Sequence, residues 1–304
     1  MVSEELASLA ALYALRSRTT VVRKDRRGPP KELELDGVWC QDASWCDDGE
    51  RRAEIADILA KQGNPLKAFW VKDYEAKASK YWEAFYKRNE DRFFKDRHYV
   101  DAEFGDAFRK GALSHVVELG CGVGNGALPL LGTFSGRLTC VDFSSKAIEL
   151  LRGRPEFDAE RCRGLVRDLV KDGLDDVGSA DVVTCFFVLS ALSPETLPSV
   201  CAKIAGLLRE KGGSVLVRDY GRYDEAQLRF SKNHKLAPNF YVKADGTRCF
   251  YFDLPDLDRL FQGLGFSGSA HFKFQRHLNR HTAVSRRRVF IQALYELRPL
   301  DQSR

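Results

Sequence analysis

The chain has 304 residues, 44% hydrophobic and 30% charged, with a formal net charge of +5. That length holds one full α/β domain plus an added segment, and interspersed charge of both signs excludes an acid-rich solvating chain. No run approaches the ~20 apolar residues of a membrane span.

Glu4 and Glu5 precede every basic residue, the wrong order for a secretory leader. Arg16, Arg18, Arg23, Arg26 and Arg27 leave nuclear or mitochondrial destinations open beside the expected cytoplasmic one. Residues 1–64 carry little pattern and read as a basic, partly disordered arm. Leu6, Leu9, Ala10 and Tyr13 allow one short helix there. The run from Arg23 to Pro30 suits either phosphate binding or a solvated arm. Cys40 and Cys46, six apart with no His nearby, read as reduced structural thiols in preference to the alternative of a zinc site, and no metal is expected.

Residues 65–110 read as a helical cap. Tyr74, Ala78, Tyr81, Trp82, Phe85 and Tyr86 recur at helical spacing, and Trp82 and Tyr86 share a face. Lys87, Arg88, Arg92, Lys95 and Arg97 follow. His98 is left between a site role and a structural one.

Residues 111–298 read as the main domain, and 299–304 as a tail. Strands are expected at 115–119, 137–141, 164–167, 181–187 and 214–217, with two more at 270–274 and 288–293. Short apolar runs between helices require a mostly parallel sheet covered on both faces. Ser144 and Ser193-Pro194 mark helix starts, and the stripe Leu257, Leu260, Phe261, Leu264 stops at Gly265.

The strongest signal is Val116-Val-Glu-Leu-Gly-Cys-Gly-Val-Gly-Asn125. An apolar strand ends in an acid, and Gly120, Gly122 and Gly124 then open a helix whose free N–H groups face a ligand. The second strand ends in Asp142, placed to accept two ribose hydroxyls. The third ends near Asp168, suited to an adenine amine. The fourth ends in Phe186-Phe187-Val188, suited to the adenine face. Gly122 to Ala127 also satisfies the looser dinucleotide pattern. Glu118 decides against it, because an acid there suits an ammonium and repels a pyrophosphate. The cofactor expected is S-adenosylmethionine, on a Rossmann-like class I methyltransferase fold with a seven-stranded sheet and an N-terminal helical extension.

From Ala68 to Leu297 the chain resembles the tRNA N3-methylcytidine methyltransferases of the methyltransferase-like group. The resemblance rests on Lys80–Asn89, Phe93–His98, Glu118–Asn125, Phe187–Ala191, Arg218–Asp224, Leu228–Phe230 and Asn239–Arg248. Residues 16–52 match no motif of that family, and Tyr99 stands where relatives often have Trp. The resemblance implies methyl transfer to N3 of a cytidine at position 32 of the tRNA anticodon loop. It also implies cofactor contacts at Trp82, Tyr86, Gly120, Asp142, Asp168 and Phe186. Its partner is tRNA, with an accessory protein such as an aminoacyl-tRNA synthetase as a further expectation.

N3 of cytosine carries an in-plane lone pair, so positioning dominates the chemistry. Asp219, at the tip of the fifth strand, is the expected catalytic group, stabilising the cation as it forms. Its bland alternative is a salt bridge to Arg218 or Arg222. Tyr220 would stack on the base or donate to it. RNA would be gripped by Lys87, Arg88, Arg92, Lys95, Arg97, Arg222, Lys243 and Arg248, and further by Arg286, Arg287 and Arg288. The chain lacks the Asn/Asp-Pro-Pro-aromatic turn used for exocyclic amines. A small-molecule methyltransferase and a non-catalytic RNA-binding subunit are the alternatives.

Overall fold

The computed structural model describes residues 49–109, 113–210, 212–279 and 284–299. The short helix expected near the start, the arm at 23–30, and Cys40 and Cys46 lie outside them.

The main sheet runs β3-β2-β1-β4-β5-β10-β9. Its strands are β1 (His115–Leu119), β2 (Arg137–Asp142), β3 (Cys162–Val166), β4 (Val182–Phe186), β5 (Gly213–Tyr220), β9 (Ser267–Asn279) and β10 (Val284–Leu297). β1 to β5 pair in parallel, and β10 pairs antiparallel with β5 on one side and β9 on the other. Successive residues serve opposite faces, as strand geometry requires. Val117, Leu119, Val183 and Val217 join one core cluster, while Val116, Leu138, Val182 and Leu216 join another. Each fully buried aliphatic side chain contributes roughly 1.5–3 kcal/mol.

Helices α4 (Tyr99–Arg109), α5 (Ala127–Leu130) and α6 (Ser145–Arg152) cover one face, and α7 (Leu197–Arg209) and α9 (Leu254–Gln262) the other. Ser144 caps α6, accepting from Ala147 N–H. Ser193-Pro194 also opens a helical turn, with Pro in its first position. Pro194–Thr196 form a 3₁₀ turn, α7 begins at Leu197, and the Ser193 hydroxyl serves Glu75. α9 ends two residues before Leu264, and Gly265 takes φ +92 in the following turn.

The helical cap expected at 65–110 is made of three helices. α2 (Ala68–Ala76) and α3 (Ala78–Asn89) break at Lys77, and a loop at 90–98 precedes α4. The cap also reaches further back than residue 65. α1 (Gly49–Lys61) falls within the segment read as an arm, and its Ile55 enters the main core. Gln62 then donates to the Gln227 carbonyl at 2.8 Å and accepts from Tyr241 Oη at 2.7 Å.

A second sheet stands outside the expected elements. After α8 (Glu225–Leu228), β6 (Lys235–Ala237), β7 (Phe240–Val242) and β8 (Arg248–Phe250) form a separate antiparallel sheet. The β7–β8 turn closes between Lys243 and Thr247, and Gly246 (φ +82) lies so close to the Tyr81 ring that a side chain would strike it. The insert is thereby docked on the cap. α3 docks in turn on the start of α6, where Glu83 accepts from the Ser144 hydroxyl at 2.6 Å and from Lys146 N–H at 3.3 Å.

The cysteines at 121, 140, 162, 185, 201 and 249 are buried and free. Cys140 and Cys162 stand 3.8 Å apart, sulfur to sulfur. No helix among the described residues is long and apolar enough to cross a membrane.

Candidate active site

The chain leaves β1 through three glycines at positive φ: Gly120 at +66, Gly122 at +54 and Gly124 at +87. A side chain on Gly120 would collide with Val188, and one on Gly122 would lie 2.6 Å from Tyr86 Oη. Gly124 departs from its expected role. The space beside it is filled by Leu151 and Leu128, so it packs the loop onto the helices and does not line the cavity. Gly126, outside the expected set, does line the site. A side chain there would strike the Glu118 carboxylate. Its place in the glycine-rich run was the available signal.

A cavity of about 500 Å³ lies between the cap and the carboxyl ends of the strands. Trp82, Tyr86, Gly120, Asp142, Asp168, Phe187 and Val188 line it. Trp82 and Tyr86 stack with centroids 5.9 Å apart. Asp142 accepts from Gly122 N–H and from Ser144 N–H, both at 2.9 Å. Burial pushes its carboxyl up to about 6, against the pull of those two donors. Asp168 accepts from Val170 N–H at 2.9 Å and pairs with Lys171 at 3.2 Å.

A recess of about 50 Å³ continues inward, sharing Trp82, Tyr86, Gly120 and Phe187 with the cavity. Glu118 is 2% exposed there, and its Oε2 has no hydrogen-bond partner among the described residues. Burial pushes its carboxyl up to about 8. Arg97 enters from the cap loop with its guanidinium 4.5 Å above the Phe187 ring, and its buried Nη1 also lacks a partner. An unpaired acid and an unpaired guanidinium N–H suit the two ends of an amino acid. Phe186 lines this recess rather than the larger cavity, because its ring stacks on Phe104 at 5.8 Å. The cavity walls are its two successors, Phe187 and Val188.

Asp219 is not where a base-contacting acid would stand. It is 0% exposed and lines neither space. Its Oδ2 accepts from Ser190 N–H and its Oδ1 from Tyr220 N–H, both at 2.9 Å. The carboxylate therefore braces two walls of the recess, and the salt bridge set against it is also not what it makes. Tyr220 does line the recess, with Phe187 5.0 Å away and Lys243 Nζ 5.6 Å over its ring.

The expected RNA-gripping cations divide. Lys87, Arg88, Arg92 and Lys95 are exposed on the cap, the first three near Glu83, Asp245 and Glu90 respectively. Arg97 and Lys243 lie in the recess. Arg222 is instead spent on Asp253 at 2.6 Å, holding the insert to the start of α9. Arg248 is buried and bonds Glu75, Ser193 Oγ and the Ala191 carbonyl, tying α2 to the insert. Burial pulls its pKa down to about 10. Arg286 lies 3.6 Å from Glu225, and Arg288 bonds Asp224 at 2.8 Å. His98 is exposed and lines neither space.

A family model described as a methyltransferase domain matches residues 116–212. The tRNA N(3)-cytidine methyltransferase METTL6 of Homo sapiens is 40% identical over 261 residues, covering 83% of this chain and 91% of that protein. The tRNA N(3)-cytidine methyltransferase METTL2 of Danio rerio is 33% identical over 311 residues, covering 88% and 86%. The chain belongs to the tRNA N(3)-cytidine methyltransferase family. Among solved structures, a SAM-dependent methyltransferase from Anabaena variabilis aligns with TM-score 0.54 and 15% identity, over 72% of this chain and 95% of that one. The 1,6-didemethyltoxoflavin-N1-methyltransferase of Burkholderia thailandensis gives 0.52 and 18%, over 78% and 93%. Both show the class I methyltransferase fold. The residues present fit S-adenosylmethionine. The glycines leave a cradle that side chains would fill, and the two unpaired buried groups match its ammonium and carboxylate.

Proposed function

We propose that the protein methylates N3 of a cytidine in tRNA, at position 32 of the anticodon loop, with S-adenosylmethionine as donor. The observation that carries this reading is the recess. Glu118 Oε2 and Arg97 Nη1, each buried without a hydrogen-bond partner among the described residues, line the same small space as the Tyr220 and Phe187 rings, the Arg97 guanidinium lying over Phe187. The substrate follows from the family, and the exposed cations at 87–95 support RNA over a small molecule.

In this reading Glu118 holds the ammonium of the methionine moiety and Arg97 its carboxylate. Asp142 accepts the ribose hydroxyls and Asp168 the adenine amine. Trp82 and Tyr86 face the sulfonium, with about 0.5–2 kcal/mol per aromatic contact. When bound, S-adenosylmethionine supplies an electrophilic methyl group. The target nitrogen already carries its lone pair, so the protein need only unstack and align the base. Tyr220 and Phe187 give it a flat wall, and Lys243 offers N–H donors beside it. Asp219 acts through Ser190 and Tyr220 as a positioning residue. An accessory protein such as an aminoacyl-tRNA synthetase completes tRNA selection. Buried free thiols suit a reducing compartment, and we assign the cytoplasm.

The test is nucleoside mass analysis of tRNA from cells lacking the protein, with purified enzyme added back. 3-Methylcytidine should vanish from at least one isoacceptor and return on add-back. Unchanged levels in every isoacceptor would refute the reading.

A pH effect follows from Glu118, whose carboxyl stays protonated up to about 8 in the free protein. An incoming ammonium favours the ionised form, so cofactor binding below that pH should release a proton. Affinity should rise as pH climbs toward 8, by up to about tenfold per unit. The raised value also costs the free protein stability as pH rises from ~4.3 toward 8, because the native state holds a proton the unfolded chain has lost. Calorimetry in buffers of different ionisation enthalpy checks this. Glu118→Gln should abolish the proton release, and a release that persisted in it would place the titrating group elsewhere.

A further inference from the structure

We propose that Phe69 and Trp70 form a stacking platform for an unpaired base of the substrate RNA, distinct from the cytidine that is methylated. This rests on the tRNA reading above and names a second point of contact.

Among the described residues, Phe69 is 70% exposed and Trp70 49%, and their rings meet edge to face at 5.2 Å. They open α2, a helix with no fully buried residue. The inward side of α2 is already engaged. Val71 and Tyr74 pack on the core, and Glu75 bonds Arg248. Nothing comparable engages the two aromatic rings, which bury little apolar surface in the protein itself. Such exposure of large apolar groups marks an interaction surface.

The surrounding charge selects the partner. Lys67 precedes the pair and Lys72 follows it, both exposed. The only acids of α2 are Asp73 and Glu75. Asp73 is paired with Lys77 at 2.7 Å and Glu75 with Arg248. The pair is thus flanked by lysines with no uncommitted carboxylate on its helix. Protein interfaces are depleted in lysine at their centres. Single-stranded RNA asks for the opposite, aromatic faces for bases with cations for the adjoining phosphates. The position also fits, since Val71 and Lys72, the next two residues, line the cavity. A base held on the platform would be a loop neighbour of the cytidine entering the site.

The experiment titrates a fluorescein-labelled anticodon stem-loop into the full chain and reads anisotropy at several salt concentrations. Phe69→Ala combined with Trp70→Ala should weaken RNA binding by about tenfold or more. Trp70→Phe should keep most of the affinity. The slope of log Kd against log salt should stay as in the parent, because stacking neutralises no phosphate. S-adenosylhomocysteine affinity, measured alongside, should be unchanged and so reports an intact fold. Unaltered RNA affinity in the double variant overturns the platform, including the case in which the pair serves a protein partner. A parent protein that neither binds the stem-loop nor methylates tRNA brings down the functional reading itself, and the platform with it.

Discussion

Replacing Asp219 with alanine should lower turnover by about a hundredfold, with a clearly smaller loss of cofactor affinity. The side chain never meets the cavity. Its two oxygens are spent on Ser190 N–H and Tyr220 N–H. Truncation leaves both donors buried without acceptors, at about 1–3 kcal/mol each. The two segments should relax, one bearing the Tyr220 ring and the other the turn after β4. A shift of about an ångström in a base-holding wall is enough for the predicted loss. Asp219→Asn keeps one acceptor and should retain intermediate activity, which a group acting by charge on the base would not allow. Single-turnover methyl transfer to tRNA, beside calorimetry with S-adenosylhomocysteine, measures both quantities. Full turnover in the alanine variant would show that the brace is dispensable.

Asp142→Ala should act on the other half of the reaction, weakening cofactor binding by on the order of a hundredfold or more. Hydrogen bonds to a charged group contribute about 1.5–3 kcal/mol each, and two ribose hydroxyls are at stake. The same carboxylate holds Gly122 N–H and Ser144 N–H, so its loss also frees the glycine loop from the start of α6. Calorimetry decides the matter. An affinity equal to the parent's would refute the ribose assignment. Asp142→Asn, which can still accept one of the two backbone bonds, should lose less.

The cofactor half of the molecule was legible in the sequence because strand tips announce themselves. An apolar run ending in Glu118, Asp142 or Asp168 fixes both the strand and the rim on which the acid stands. The starts of β1 to β5 fall within two residues of the expected ones, while β9 and β10 begin three and four residues earlier than expected. The β6–β8 sheet was not legible. Its strands are three residues each, too short to display alternation, and all of β7 and β8 is buried. α1 is weakly announced: Ile55, Ile58 and Leu59 stand at helical spacing, but charged and polar residues surround so short an apolar stripe. Charge roles misled for a different reason. Arg222 and Arg248 look like surface cations in the sequence. Their partners Asp253 and Glu75 come from other elements, and only the fold brings them together. Asp219 was rightly placed at a strand tip, yet the sequence does not reveal that backbone N–H groups saturate it.

The two halves of the site arrive on different parts of the chain. The methyl-donor cradle belongs to β1–β4, whereas Lys243 and Arg248 are delivered by a small sheet spliced between β5 and α9. That sheet touches the cap at Gly246 and Glu75 without contributing a strand to the main sheet. A change in the insert is therefore felt by the cap and by the cavity, whose wall Arg248 shares.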